Sequence, residues 1–297
     1  MLLTSHASRN RQSELNSSGA AQLRTDAPLH CGVLVEARYL EQAQPQGMAR
    51  ALAKSGHSII HLDSQSAMLD IENSRWLTGL DLLIARGRSV DLLARLSVAE
   101  AAGIPTLNRR RAIAAVADKA HMATQLRAAG IQTPPTWIGS IEQIRREIPR
   151  TAYPLILKPV YGDNCRDIRI VGAPSALDDI VWSEPCAIAQ CLLPNNGFDL
   201  KLYAIGERVW AVRKPSPLLG AAAAATTLLT LPAAWRNLAR RCGELFGLQL
   251  FGVDCIECDG NLKVIEVNDF PNYTAVPEAD SLLADYVVQY AQARRST

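Results

Sequence analysis

The sequence predicts an α/β protein, with a small parallel sheet in its first half and an α+β arrangement of antiparallel sheets in its second. Three observations carry that expectation. Between Cys31 and Asn108, short apolar runs alternate with helical patterns that stop at Gly56 and Gly103, the arrangement that lays strands side by side in parallel. Between Leu155 and Arg213, apolar runs follow one another across turn residues with no long helix between them, which points to antiparallel pairing. Phe251–Tyr273, FGVDCIECDGNLKVIEVNDFPNY, reads as two strands folded about Asp259-Gly260-Asn261.

The elements follow in order. Residues 1–30 are rich in Ser, Arg, Gln and Ala with little to bury, and a disordered tail is expected. Their Arg and Ser content and few acids also resemble a transit peptide, but no apolar run of a secretory signal is present. An N-terminal α/β domain is expected over 31–110. It has strands at Cys31–Glu36, Ser58–Leu62 and Leu80–Ala85, helices at Gln46–Ser55 and Val90–Ala102, and an extended path at Pro105–Asn108. The loop Arg86-Gly87-Arg88-Ser89 follows the third strand, at the strand end where ligands bind in open α/β sheets. Its arginines either meet an anionic substrate or form a solvated loop, and the solvated loop is the expectation. Ile113–Ala129 reads as one continuous helix carrying Asp118-Lys119, stopped by Gly130 and followed by Pro134-Pro135.

A second unit is expected over 111–195. Ile141–Glu147 is a short helix. Leu155–Lys158 and Ile168–Val171 form a hairpin over the loop Tyr161–Asp167, and Cys186–Leu192 is a further strand before the turn Pro194–Gly197. A third unit over 196–297 holds the hairpin Leu200–Ile205 and Val209–Arg213 around Gly206-Glu207, a helix at Ala233–Phe246 stopped by Gly247, the Phe251–Tyr273 hairpin and a closing helix at Asp280–Arg294.

Composition excludes several classes. The 297 residues are 48% hydrophobic, enough to bury a large core. The formal net charge of +2 gives no case for nucleic acid or for a charged membrane surface, and no apolar run is long enough to span a bilayer. The seven cysteines come without a secretory signal, so reduced thiols in a cytoplasm are expected. Cys255 and Cys258 form a lone C-x-x-C. Positions three apart on a strand face opposite sides, so a shared zinc is not expected.

The hairpin carries the chemistry. Glu266 and Asn268, two apart on its second strand, share a face. Folding at Asp259-Gly260 brings Asp254 close to them. Two carboxylates and a carboxamide make a hard oxygen set suited to magnesium holding a nucleotide phosphate. The alternative is a polar hairpin with a solvated edge.

Taken with its neighbours, this hairpin supports a resemblance. The order Asp118-Lys119, Ala128–Thr136 (AAGIQTPPT), Leu157–Pro159 (LKP), Gln190–Leu193 (QCLL), Asp199 and Lys201, then Phe251–Asp254 and Val264–Asn268 (FGVD and VIEVN) resembles the ATP-grasp superfamily. Within it, the chain is most similar to RimK-type glutamate ligases, over most of its length from Cys31 on. The resemblance implies ATP clamped between two antiparallel sheets without a P-loop, and no such motif occurs here. It implies that Lys158 reaches the α- and β-phosphates and that Lys119 is a second ATP-facing lysine. Gln190, Cys191, Leu192 and Leu193 would form the adenine hinge. Asp199 would contact ribose or phosphate. Lys201 would face the γ-phosphate, with Arg213 beside the reacting groups. Asp254, Glu266 and Asn268 would hold two magnesium ions, with manganese as a substitute. The implied reaction needs no protein nucleophile: a substrate carboxylate takes the γ-phosphate as an acylphosphate, and an amine then displaces phosphate to form an amide. The implied partners are small-molecule or peptide carboxylates and amines, with homo-oligomerisation left open.

Three departures from the family pattern stand out. The loop Tyr161–Asp167 contains only Gly162 where the family has a glycine-rich flap, Cys191 replaces an acidic hinge residue, and Ser216–Leu231 lacks an arginine and an asparagine near the phosphates. Arg213 and Lys214, just before that segment, partly substitute. Two other readings keep the fold. Asn268–Tyr273 (NDFPNY) is also similar to ATP-grasp inositol polyphosphate kinases, in which a hydroxyl would accept the phosphate, and a non-catalytic nucleotide-binding module would need the same site without turnover.

Overall fold

A computed structural model describes residues 27–162, 167–194, 196–216, 218, 225–258 and 260–295. The expected N-terminal tail lies outside the described residues, apart from its last four positions, as do the flap tip at 163–166 and most of the segment 217–224.

The chain runs β1 (His30–Val35), α1 (Ala43–Lys54), β2 (Ser58–Asp63), β3 (Leu82–Arg86), α2 (Val90–Ala101) and β4 (Thr106–Leu107). Next come α3 (Arg110–Ala117), α4 (Lys119–Ala128), β5 (Thr136–Gly139), α5 (Ile141–Glu147), β6 (Leu155–Lys158), β7 (Arg169–Val171) and β8 (Ala187–Cys191). It continues with β9 (Phe198–Ile205), β10 (Arg208–Pro215), β11 (Thr227–Leu229) and α6 (Ala233–Phe246). It closes with β12 (Leu250–Cys258), β13 (Asn261–Asp269) and α7 (Ala279–Arg295).

Three sheets result. The first, in the order β2-β1-β3-β4, is parallel throughout. The second, β5-β8-β6-β7, and the third, β11-β10-β9-β12-β13, are antiparallel throughout. The α/β expectation with antiparallel sheets in the second half therefore stands.

The differences are local. The helix expected over Ile113–Ala129 is broken at Asp118, whose φ and ψ of −84° and 100° are extended. Its carboxylate accepts the N–H of His121 and caps α4. An aspartate at the start of a new helix gains a hydrogen bond that an aspartate in mid-helix does not. The short strands β5 and β11 lie at sheet edges, where pairing with β8 and β10 rather than local pattern makes them extended.

The five-stranded sheet has two covered faces. Strand alternation sends Leu202, Val253 and Val267 to one core with Met122 of α4 and Cys242 of α6, and sends Ile205, Val212 and Leu250 to another. That second core also holds Val33 of β1, Met48 of α1 and Val287 of α7. The C-terminal helix thus packs with the N-terminal sheet. The Tyr290 hydroxyl donates to the Thr106 carbonyl (2.9 Å), and Arg295 pairs with Asp81 (2.6 Å). Asn108 ties the two sheets further: its amide donates to the carbonyl of Leu250 (2.7 Å), and its oxygen accepts the N–H groups of Gln249 and Leu250 (2.8 and 3.0 Å). The end of β4 and the start of β12 are thereby held against each other.

Candidate active site

The site grows from strand register. Asp254 lies opposite Lys201 on one side and Glu266 on the other, and Gly252 lies opposite Asn268. Cross-strand partners share a face, so Lys201, Asp254 and Glu266 form one row. A register shift falls between Asp254 and Cys255, the kind of local irregularity that re-aims a side chain beside a site. Between β12 and β13, Gly260 takes a φ of +73° that favours glycine. The turn aspartate itself lies outside the described residues.

The charges in this row are matched. Lys201 Nζ is 2.6 Å from Asp254 Oδ2, and Asn268 Nδ2 donates to the same oxygen at 3.3 Å. Lys119 Nζ is 3.1 Å from Glu266 Oε1 and also donates to the Gly162 carbonyl. Arg88 approaches Glu266 to 3.9 Å and bonds Asp269 at 2.8 Å and Asn268 Oδ1 at 3.4 Å. Burial raises the Asp254 carboxyl above its ordinary range, and neighbouring Glu266 raises it further, against the pull of Lys201. Burial would also raise Glu266, but Lys119, Arg88 and Lys158 outweigh it and hold that carboxyl low. Burial lowers Lys201, and Asp254 more than reverses this, so the ammonium is held charged.

These residues fit a divalent cation. Among the described residues no group of three or more His, Cys, Asp or Glu comes together. The donor set here is instead two adjacent carboxylates and a carboxamide, all oxygen donors. A carboxylate pair that raises one member's pKa is the electrostatic signature that a bound cation relieves.

The β5-β8-β6-β7 sheet carries the second set of expected site residues. Lys158, at the end of β6, is buried and its Nζ donates to Gln190 Oε1 on β8 (2.8 Å). Gln190 Nε2 donates in turn to Thr136 Oγ1 (3.0 Å). The Gln190 side chain is therefore engaged within its own sheet. At the expected hinge, the N–H of Cys191 donates to the Pro135 carbonyl (3.0 Å) and that of Leu192 to the Pro154 carbonyl (2.9 Å). The Cys191 thiol sits 3.2 Å from the Ala152 carbonyl oxygen. Leu192 and Leu193 are half-buried. Asp118-Lys119 anchors the base of the flap loop: the Tyr161 hydroxyl donates to Asp118 Oδ2 (3.0 Å), and the Lys119 N–H to the Val160 carbonyl (3.2 Å).

Two placements differ from expectation. Arg213 is opposite Leu200, on the sheet face away from the acidic row, with its guanidinium over the Phe198 ring (4.9 Å). The structure does not bring it to Asp254. Lys214, opposite Asp199, lies on the active face and lines the central cavity with Lys201. The hairpin turn Gly206-Glu207 already encodes this, since pairing outward from it sets Lys214 beside Asp199. The second difference is the loop after β3, which is not solvated. Arg86 is 5% exposed, and the Arg88 side chain 9%. Gly87, with φ +139°, lets this loop approach the buried Glu36, whose carboxylate accepts the N–H groups of Arg88 and Ser89. A Cβ at Gly87 would collide with that carboxylate.

Arg86, Arg88, Lys201, Lys214, Asp254 and Glu266 line one cavity of ≈ 300 Å³ between the N-terminal sheet and the five-stranded sheet; Lys119, Lys158, Asp199 and Gln190–Leu193 are not among its lining residues.

Comparison with known proteins agrees with this geometry. An ATP-grasp domain model matches residues 116–272. A probable alpha-L-glutamate ligase of Stutzerimonas stutzeri is 22% identical over 270 residues, covering 82% of this chain and 90% of that one. An inositol-tetrakisphosphate 1-kinase of Xenopus laevis is 27% identical over 175 residues, 48% of this chain and 43% of that one. Among solved structures, a RimK domain ATP-grasp protein from Sphaerobacter thermophilus has the same fold, with a TM-score of 0.72 at 20% identity over 87% of this chain and 98% of that one. Among the described residues no helix is long and apolar enough to cross a membrane.

Proposed function

The chain belongs to the ATP-grasp family, and from that premise we propose that it is an ATP-dependent carboxylate–amine ligase. The observation that carries this reading is the row Lys201–Asp254–Glu266–Lys119, two carboxylates flanked by cations from the five-stranded sheet and from α4. The likeness to a probable alpha-L-glutamate ligase over most of both chains supports it.

Each residue then has a physical task. Asp254, Glu266 and Asn268 would hold magnesium, two ions in the full reading with manganese as a substitute. Bound there, the metal supplies charge neutralisation between phosphate oxygens. Lys119, at the start of α4, and Lys158, at the end of β6, orient the phosphates of the ATP substrate. Lys201, once a metal shares Asp254, offers its ammonium to the γ-phosphate, and Lys214 takes the part expected of Arg213. Asp199 meets the ribose or a phosphate-side hydroxyl. Cys191, Leu192 and Leu193 present backbone and apolar walls to the base. Gln190 acts one step back, holding Lys158 in place.

The substrate carboxylate attacks the γ-phosphorus, ADP leaves, and the amine displaces phosphate from the acylphosphate. Catalysis is positioning and charge stabilisation, with no protein nucleophile. The substrates are small-molecule or peptide acids and amines. The described cysteines are free thiols, which suits a cytoplasmic setting.

The test is ADP and phosphate release with magnesium, ATP, and acid and amine mixtures, run beside thermal melting. Magnesium with ATP should raise the melting temperature by mass action, and release of both products should require an acid. ADP without free phosphate in the presence of an inositol phosphate would replace the ligase with the kinase reading, which the likeness over Asn268–Tyr273 and the kinase relative favour.

A further inference from the structure

Arg88 brings a positive charge into the acidic row from a loop outside it. The backbone of that loop is fixed first. Glu36, buried just after β1, accepts the N–H groups of Arg88 and Ser89 through one oxygen. Ser89 Oγ caps α2 by accepting the Leu92 N–H (3.3 Å). From this anchored loop the Arg88 side chain crosses to the end of β13, with only 9% of it exposed. Nη2 donates to Asp269 Oδ1 (2.8 Å) and Asn268 Oδ1 (3.4 Å). Nη1, buried and without a hydrogen bond among the described residues, stands 3.9 Å from Glu266 Oε1. One guanidinium thus lies against two of the three residues expected to hold metal.

The Asn268 carboxamide is set by this contact. A carboxylate only accepts and a guanidinium only donates, so an amide between them has one orientation. Its Nδ2 faces Asp254 (3.3 Å) and its Oδ1 faces Arg88, so the oxygen that could ligate a metal already meets a cation. Asp269, with 2% of its side chain exposed, holds that cation in place, because parting a buried ion pair leaves two uncompensated charges. The guanidinium keeps its proton at any working pH. A divalent ion on the oxygens of Glu266 and Asn268 would therefore stand beside a fixed positive charge, and repulsion of that kind is strong where water is scarce. The other side of the row differs. The lysines meet the carboxylates at Asp254 Oδ2 and Glu266 Oε1. Asp254 Oδ1 and Glu266 Oε2, on residues paired across β12 and β13, take no part in those two bridges.

We propose that the site takes a single divalent cation, on Asp254 and Glu266, and that Arg88 supplies the positive charge of a second one at Glu266 and Asn268. This deepens the ATP-dependent ligase reading, resting on its nucleotide and metal site, and narrows the ion count from two to one.

The experiment counts bound manganese by electron paramagnetic resonance, with protein in excess over the ATP analogue AMPPNP so that the nucleotide is bound. It compares wild type, Arg88→Met, and Arg88→Met combined with Asp269→Asn, which spares the fold an unpaired buried carboxylate. Wild type should bind one manganese ion per AMPPNP. Both variants should bind two, the second at least about tenfold more tightly than any second ion in wild type, a modest figure for removing a unit charge a few ångströms from a divalent ion. A melting shift with manganese and AMPPNP shows that a variant folds and holds nucleotide. If neither variant folds, the wild-type count decides: one ion supports the proposal and two overturn it. A single ion in a folded variant, or no bound manganese in wild type, overturns it as well. The count needs neither acid nor amine. One ion in wild type and two in the variants, with no product release from any acid, would end the ligase reading and leave the role of Arg88 standing.

Discussion

The two faces of the five-stranded sheet come from the same strands yet differ completely. One face carries Leu202, Val253 and Val267 in an apolar core against α4 and α6, with Arg213 only at its exposed margin. The other begins apolar at Ile205, Val212 and Leu250 and ends in Lys201, Asp254 and Glu266. Both are covered, the second by α7 and the N-terminal sheet. Burying charge on a covered face is costly unless each charge has a counter-charge, and the lysines flanking the two carboxylates provide it. The comparison teaches that the acidic row is held together by pairing that a metal and a phosphate would have to redistribute.

The largest effect should come from Asp254→Asn. It leaves the Lys201 ammonium without its 2.6 Å partner and removes a metal ligand. Magnesium-dependent ADP formation should fall by at least about 100-fold, and stability in urea by roughly 2–3 kcal/mol. Adding Lys201→Met should restore part of the stability and none of the turnover. An Asp254→Asn enzyme as active and as stable as wild type would break the comparison.

A smaller effect separates the faces directly. Lys214→Ala should reduce turnover by about tenfold, the scale of one charge-assisted contact of roughly 1.4 kcal/mol. Arg213→Ala, on the far face, should stay within about twofold, because stacking of Arg213 on exposed-side Phe198 contributes under about 1 kcal/mol. The reverse ranking would show that the register assigns the wrong cation.

The smallest effect is in pH dependence. Glu266 is held below its ordinary value by Lys119, Arg88 and Lys158, whose attraction exceeds the cost of burial. Its unfolded form therefore binds protons more readily than its folded form, so its stabilisation is present above about pH 5 and fades as pH falls through the folded value. The stability difference between wild type and Glu266→Gln, measured without metal, should be constant from pH 8 to about pH 5 and shrink below about pH 4. A difference that grows toward acid would contradict the assigned pairing.

Much of this was legible locally. The helix stops at Gly247 and Gly103 and the hairpin turns at Gly206 and Gly260 are single-residue signals. The period of two along Val264–Asn268 put Glu266 and Asn268 on one face, and the turn brought Asp254 to them. The site residues whose roles depend only on alternation and a nearby turn were therefore within reach. The same rule, pairing outward from Gly206-Glu207, sets Lys214 and not Arg213 beside Asp199.

What the sequence determined by itself is the order of strands and helices, the antiparallel hairpins and the convergence of Asp254, Glu266 and Asn268, because these follow from backbone alternation and short turns. What only the tertiary structure decided depends on partners far apart in the chain. Asp118 breaks the α3–α4 path where Lys119 meets Val160 and Glu266. Arg86 leaves the expected solvated loop because its guanidinium packs against Tyr39 and Phe270, which are 231 positions apart, from 270 − 39. Burial of that kind is set by which surfaces the fold presses together, and no local window of the sequence contains both surfaces.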